Sequence, residues 1–224
     1  MSVSERIVAC RACPRLAEHC REVARVKRRA YRDEDYWGKP VPTFGGPQPR
    51  LLVVGLAPGA HGANRTGRVF TGDASGEWLY RALHLHGFAN RAESVRDGDG
   101  LRLIGAAINN VLRCAPPQNK PTREELVRCR PFLEAEIASY RRLRVVLALG
   151  KIAFDGFLKA WAALDREPFQ EKPAFAHGGR FTSGRITLLA SYHPSRQNTN
   201  TGRLTRPMFD GTFALARALV DAGS

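Results

Sequence analysis

Two cysteine pairs, one histidine set against a proline and one carboxylate in a glycine-rich loop are the residues of this 224-residue chain best placed to do chemistry. Cys10 and Cys13 form a C-x2-C pair, while Cys114 and Cys129 flank a Pro-rich run through Pro116, Pro117 and Pro121. Four thiolates in two pairs enclose either a tetrahedral zinc or a [4Fe-4S] cluster, and spacing alone does not choose between them; buried free thiols are the third reading. Cys20, on a helical stretch, reads as a small core residue. His193 follows the apolar run Ile186 to Ser191 and precedes Pro194, so its ring projects from a strand end, where ligands bind. Asp73 and Phe70 lie in the stretch from Leu51 to Gly76 and offer a carboxylate and a flat apolar face among six glycines. Asp73 is equally placed to cap the helix that follows it.

Each group needs an element to hold it. Leu51 to Val54 is a short buried strand stopped by the turn Gly55-Leu56-Ala57-Pro58-Gly59, whose backbone N–H groups are suited to cradling an anion. Further strands are expected over Leu103 to Leu112, Val145 to Leu149 and Ile186 to Ser191. Helices are expected over residues 4 to 29, interrupted at Cys10 to Pro14, then Glu77 to His86, from a cap at Thr122 with Glu125 to about Tyr140, Lys151 to Leu164, and Pro207 to Asp221. Tyr36 to Pro49, dense in Pro and Gly, reads as an extended connection. Strands alternating with helices argue for an α/β fold, a mainly parallel four-stranded sheet between helical layers. The loops after Val54, Leu112 and Ser191 would converge at one edge.

Charge names the partner class. The formal net charge is +14 with pI near 10.3, and 29 of the 35 basic residues are Arg, whose planar fork matches phosphate. No acidic residue occurs between Glu171 and Asp210, so the loop after His193 presents Ser195, Arg196, Asn198 and Arg203 as phosphate contacts. Leu204 among them is either a helix-start staple or a wedge for a base stack. Nucleic acid is the expected partner. The N-terminus lacks an apolar signal region and no run of about 18 apolar residues occurs, so a cytoplasmic protein without membrane attachment is expected.

The segments GLAPGAHGANRTGRVFTGDASG, RCAPPQNKPT and HPSRQN with TGRLT behind it, with the four cysteines, resemble the family 5 (b-type) uracil-DNA glycosylases over nearly the whole chain. The resemblance implies a single domain over residues 1–224 acting as a monomer, a three-layer α/β/α glycosylase fold, and a [4Fe-4S] cluster on Cys10, Cys13, Cys114 and Cys129. It also implies excision of flipped uracil and related deaminated bases from DNA. Phe70 is then the platform for the base, His193 the donor to uracil O2, and the backbone at Gly55, Ala57 and Gly59 an aid to the leaving anion. Other glycosylase families carry an acid in the first turn; its absence here shifts attention to Asp73. Family 4 enzymes place a uracil-reading Asn four residues before the third cysteine, where this chain has Asn110. Family 5 usually has a small apolar residue there, and Asn119 resembles its base-contacting Asn, so both asparagines are candidates.

Two other classes compete. A non-catalytic nucleic-acid-binding module would explain charge and cysteines but not His193 and Asp73 on converging loops. A nucleotide-dependent enzyme lacks both G-x-x-x-x-G-K-[ST] and a G-x-G-x-x-G after the first strand.

Overall fold

Four short runs of the chain are buried at every position, which is the pattern of parallel strands covered on both faces. In the computed structural model, which describes residues 1–223, these are β2 (Leu51–Gly55), β3 (Ala106–Asn110), β4 (Val145–Leu149) and β6 (Ile186–Ser191). They pair in parallel in the order β3, β2, β4, β6. The register sets Gly55 beside Asn110 and Leu149 beside Ser191, so all four strands end level and release their loops at one edge.

The sheet has six strands rather than the expected four. β1 (Phe44–Gly45), hidden in the Pro/Gly connection, adds antiparallel to β3, and β5 (Arg180–Ser183) adds antiparallel to β6 through a hairpin at Gly184. At Gly45 a methyl group would fall 2.4 Å from the Ala106 carbonyl, so only glycine lets this edge approach. Both additions escape a pattern search for a physical reason: β1 is two residues long, and β5 covers one partly solvated edge and carries Arg, Thr and Ser. The second strand is also shorter than expected, because Gly105 at φ +61 turns the chain just before it.

Alternation along the strands divides the core in two. Leu51, Val53, Ile108, Val145, Leu147 and Leu189 face α4 (Ala74–Leu85) and α8 (Arg206–Ala222), against Leu79, Leu83, Phe209 and Phe213. Leu52, Val54, Ala107, Val146, Ala148 and Leu188 face α5 (Arg123–Ser139) and α6 (Lys151–Ala163), against Leu133, Ile137, Phe154 and Phe157. The result is the expected three-layer arrangement. The capping box of Thr122 and Glu125 forms as the sequence signals, and Pro131 is accommodated inside α5. The N-terminal segment breaks at the first cysteine pair into α1 (Val3–Val8) and α2 (Pro14–Val26). Two short helices, α3 (Ala63–Thr66) and α7 (Arg196–Asn200), sit within the loops after β2 and β6. Among the described residues, no helix is long and apolar enough to cross a membrane.

Candidate active site

The level strand ends bring Gly55, Asn110, Phe70 and His193 together. Asn110 shares its face of β3 with Ile108, so it points to the layer that holds Phe70, and it is 1% exposed. A methyl group on Gly55 would lie 2.4 Å from Asn110 Oδ1 and 2.7 Å from the Phe70 ring, so glycine is what lets these two groups close over the strand end. Asn110 Oδ1 is buried without a hydrogen-bond partner among the described residues. Such an atom costs stability, about 1–3 kcal/mol, unless a ligand donor completes it. Asn109 faces the opposite layer and donates to Glu136 Oε2 at 2.8 Å.

Phe70 adopts φ +53, an unusual conformation for a bulky residue and one that persists only where packing imposes it. Its carbonyl lies where a methyl group on Gly76 would be 1.8 Å away, and the Tyr80 hydroxyl donates to the neighbouring Val69 carbonyl at 2.7 Å. The ring stacks on His193 with centroids 5.8 Å apart and planes at 26°. His193 is itself held from behind: Asn198 Nδ2 donates to its carbonyl at 2.8 Å, and its Cβ sits against Gly150. Burial of the imidazole lowers its pKa to about 4, so the ring is neutral at physiological pH and keeps one N–H able to donate.

Asp73 forms the cap that its sequence context allowed, and its position leaves the carboxylate beside the glycine turn. It is the N-cap of α4, with Oδ1 accepting from the Gly76 N–H at 2.9 Å. Its other oxygen faces the glycine turn, where a methyl group on Gly62 would be 2.4 Å from Oδ2 and one on Gly59 3.0 Å. Burial raises its pKa, opposed by hydrogen bonds from the Gly76 and Ser75 backbone. A carboxylate with one oxygen anchored and the other turned toward a loop is suited to orienting water. Ala57, between these groups, packs its side chain toward Leu112 and Cys129, leaving only its backbone for a ligand. Asn119 stands apart, exposed on a 3₁₀ turn at φ +58.

The loop after His193 is exposed where charge is wanted. Arg196 is exposed in α7, which Ser195 precedes as N-cap. Arg203 is also exposed, and its guanidinium lies over the Tyr192 ring at 4.5 Å. Leu204 is fully buried, immediately before the Thr205 cap of α8, in the same core cluster as Phe209. That is the geometry of a hydrophobic staple, and the expectation of a DNA wedge at Leu204 is corrected here: its side chain is part of the core and has no free apolar tip.

At the other end of the loop from β3, Cys10, Cys13, Cys114 and Cys129 line one cavity together with Leu16, Leu112 and Phe132. Cys13 caps α2 and Cys129 lies in α5; the bidentate pair of Arg15 with Glu125, at 2.8 and 2.7 Å, fixes these helices to each other. The Arg113 N–H donates to Cys129 Sγ at 3.3 Å. Burial raises Cys129 to about 11, with Cys10 and Cys13 adding to the rise; Cys13 rises through burial, Glu125 and Cys10. Cys114 is raised by its hydrogen bond with Cys20, by burial and by its neighbours Cys129 and Cys10. The four thiols around this cavity form a donor set that, once deprotonated, would suit a cationic centre. Among the described residues no three His, Cys, Asp or Glu side chains close on a single-ion site. Cys20 lies outside the cavity, buried, with Sγ 3.7 Å from the Ala115 carbonyl.

Sequence reasoning passed over Tyr192 and His177, whose rings stack at 5.3 Å beside His193. Tyr192 was legible as a neighbour of His193; His177 comes near it only through the unforeseen β5 hairpin.

Comparison with known proteins agrees with this geometry. Residues 42–217 match the family model of the uracil DNA glycosylase superfamily. The chain is 50% identical to a type-5 uracil-DNA glycosylase of Mycobacterium leprae, over 97% of this chain and 94% of the relative. It is 50% identical to one of Thermus thermophilus over 92% and 91%, and 43% identical to one of Pyrobaculum aerophilum over 97% and 91%. With matches over more than nine-tenths of each chain and a three-layer fold, the chain belongs to the uracil-DNA glycosylase superfamily and, within it, to the type-5 group.

Proposed function

We propose that this protein is a monofunctional DNA glycosylase that hydrolyses the N-glycosidic bond of uracil, and of related deaminated bases, in DNA and leaves an abasic site. The observation that carries the reading is the convergence of Phe70, His193 and the unpartnered Asn110 Oδ1 over Gly55. A base rotated out of the duplex stacks on Phe70, and its N3–H completes Asn110 Oδ1. As the bond from C1′ breaks, negative charge grows on the uracil and positive charge on the sugar. Neutral His193 donates to uracil O2, and the backbone of the Gly55 to Gly59 turn adds to that stabilisation. Asp73, through the oxygen turned toward the loop, orients water toward C1′ and favours the sugar cation. Ser195, Arg196, Asn198 and Arg203 grip the phosphates, and Asn119 is available at the rim. The protein acts as a single-domain monomer in the cytoplasm.

The test is a gel: uracil-containing duplex is incubated with the protein, treated with alkali and resolved. A band cleaved at the uracil supports the reading. An intact strand after prolonged incubation with folded protein sinks it and leaves a non-catalytic DNA-binding module.

Cys10, Cys13, Cys114 and Cys129 fit a [4Fe-4S] cluster, since all four line one cavity and the Arg113 N–H already donates to one sulfur. When bound, the cluster supplies a structural cross-link, for hydrolysis needs no electron transfer. Sequence spacing supports a role for the link: Cys114 lies four positions after Asn110, so fixing it to α2 and α5 would fix the loop that leaves the base pocket. Purified protein should be brown with broad visible absorption, and serine at any of the four should remove the colour and most soluble yield. Serine at Cys20 should spare both. A colourless protein carrying one zinc would overturn this assignment.

A further inference from the structure

The sheet ends beside the active site on an imidazole. Along β6, N–H groups of odd-numbered residues face β4, as where Thr187 N–H donates to the Arg144 carbonyl at 2.8 Å, and those of even-numbered residues face β5. Beyond the last β5 pair, Arg180 with Leu189, the preceding chain continues the ladder. Ala190 N–H donates to the Gly179 carbonyl at 2.9 Å, and Gly178 N–H to the Ala190 carbonyl at 2.9 Å. The next donor on this edge is the Tyr192 N–H, one residue before His193. Among the described residues no backbone carbonyl meets it. It donates instead to His177 Nδ1 at 3.3 Å, with Ser191 Oγ also 3.3 Å from that nitrogen.

We infer that His177 is a positioning residue for His193: its imidazole, with Nδ1 bare and Nε2 protonated, replaces the missing strand carbonyl and fixes the peptide that carries the catalytic histidine. This tautomer pairs Nδ1 with the Tyr192 N–H; the other would pair an Nδ1 proton with Ser191 Oγ, whose hydroxyl donates to the Tyr192 carbonyl at 3.0 Å, and the two differ in which ring nitrogen carries the proton. From the β4 side the Gly150 N–H holds the Ser191 carbonyl at 2.8 Å, so the end of β6 is gripped on both edges. The Tyr192 ring stacks on the His177 ring at 5.3 Å and also carries the Arg203 guanidinium at 4.5 Å. Tyr192 and, with it, Arg203 are thus the titratable and charged groups that face His177; Phe175 and Met208 complete the surroundings. Burial lowers the pKa of His177, a hydrogen bond with the Met208 backbone acting in the opposite sense, which keeps the ring neutral and its acceptor available.

The catalytic part of this inference rests on the glycosylase reading, so its test has arms that do not. In the unaltered protein, ¹⁵N spectra of His177 at neutral pH should report a protonated Nε2 and a bare Nδ1; a protonated Nδ1 would overturn the inference without any variant. His177→Phe keeps the ring stack and removes the acceptor, whereas His177→Asn returns an oxygen acceptor near the position of Nδ1. The Phe variant should lose hydrogen-exchange protection at the Tyr192 amide. Its single-turnover excision should slow about 10- to 100-fold with unchanged DNA affinity, while the Asn variant stays within about threefold of the parent, as a small misplacement of a catalytic group predicts. Parent-like rate and protection in His177→Phe would overturn the role. So would equal losses of rate and melting temperature in both variants, which mark a residue that only packs. If the unaltered protein fails to excise uracil, the glycosylase reading falls, while tautomer and amide protection still decide whether His177 ends the ladder.

Discussion

The proposed base pocket and the Arg-rich loop adjoin each other at His193 yet are built on opposite physical terms. Around Gly55 the groups are few, enclosed and, Asp73 apart, uncharged: Asn110 is 1% exposed with a bare oxygen, Phe70 is 7% exposed in a strained backbone conformation, and burial holds His193 neutral. From Ser195 onward the groups are many, solvated and cationic, with Arg196 and Arg203 at the surface. In a water-poor pocket a single aimed donor acts at low dielectric and is worth several powers of ten in rate. In water each arginine contributes modestly, and salt screens it. Under the proposed function, the difference implies a division of labour: the enclosed residues would set the chemistry and the exposed ones how much DNA is held.

The largest break in that division is expected at Asp73. Asp73→Asn should lower the single-turnover rate by about 10²- to 10⁴-fold, in the range for a group that activates water and favours a cation. Asparagine caps a helix as well as aspartate does, so the melting temperature should hold. Full activity with unchanged stability would reduce Asp73 to the cap of α4. His193→Ala should cost about 10²- to 10³-fold in the same assay, the usual loss for a donor aimed at developing negative charge. A smaller effect separates the two regions by pH. Folded His193 titrates near 4 against an ordinary 6.5, so between these values the unfolded chain binds a proton that the folded protein does not. Its contribution to stability is therefore complete above 6.5 and is lost as pH falls toward 4. His61, His86 and His177 are lowered in the same direction, so the check is a difference: His193→Asn should flatten the fall in melting temperature over that window relative to the parent. A parallel curve would mean that His193 is not held neutral by the fold. The smallest effect is at the surface, where Arg196→Ala or Arg203→Ala should reduce the salt slope of DNA binding by about one unit each.

The same contrast explains what the sequence disclosed. β2, β4 and β6 were legible because a strand buried on both faces must be apolar throughout, and the loops that follow must meet where parallel strands end. The edge strands were not, since two residues at Phe44 or an alternating Arg-Phe-Thr-Ser run carry too little pattern. Asn110 was ambiguous from sequence, because which layer it faces depends on the register that puts it beside Gly55. Leu204 was ambiguous for a similar reason: a staple and a wedge differ only in whether Phe209 lies beneath. His177 gave no signal at all, as its role depends on the point where a hairpin runs out of carbonyls.

The central claim, that enclosed groups set rate and exposed groups set affinity, is tested most directly by measuring two quantities in parallel on His193→Ala and on an Arg196→Ala/Arg203→Ala double variant. These are the single-turnover excision rate at saturating enzyme and the affinity for uracil-containing duplex across a salt series. The account predicts that His193→Ala loses rate while keeping affinity and salt slope, and that the double variant loses affinity and about two units of slope while keeping the saturated rate. A His193→Ala protein that excises normally but binds weakly, or a double variant that binds normally but cannot excise, would contradict it.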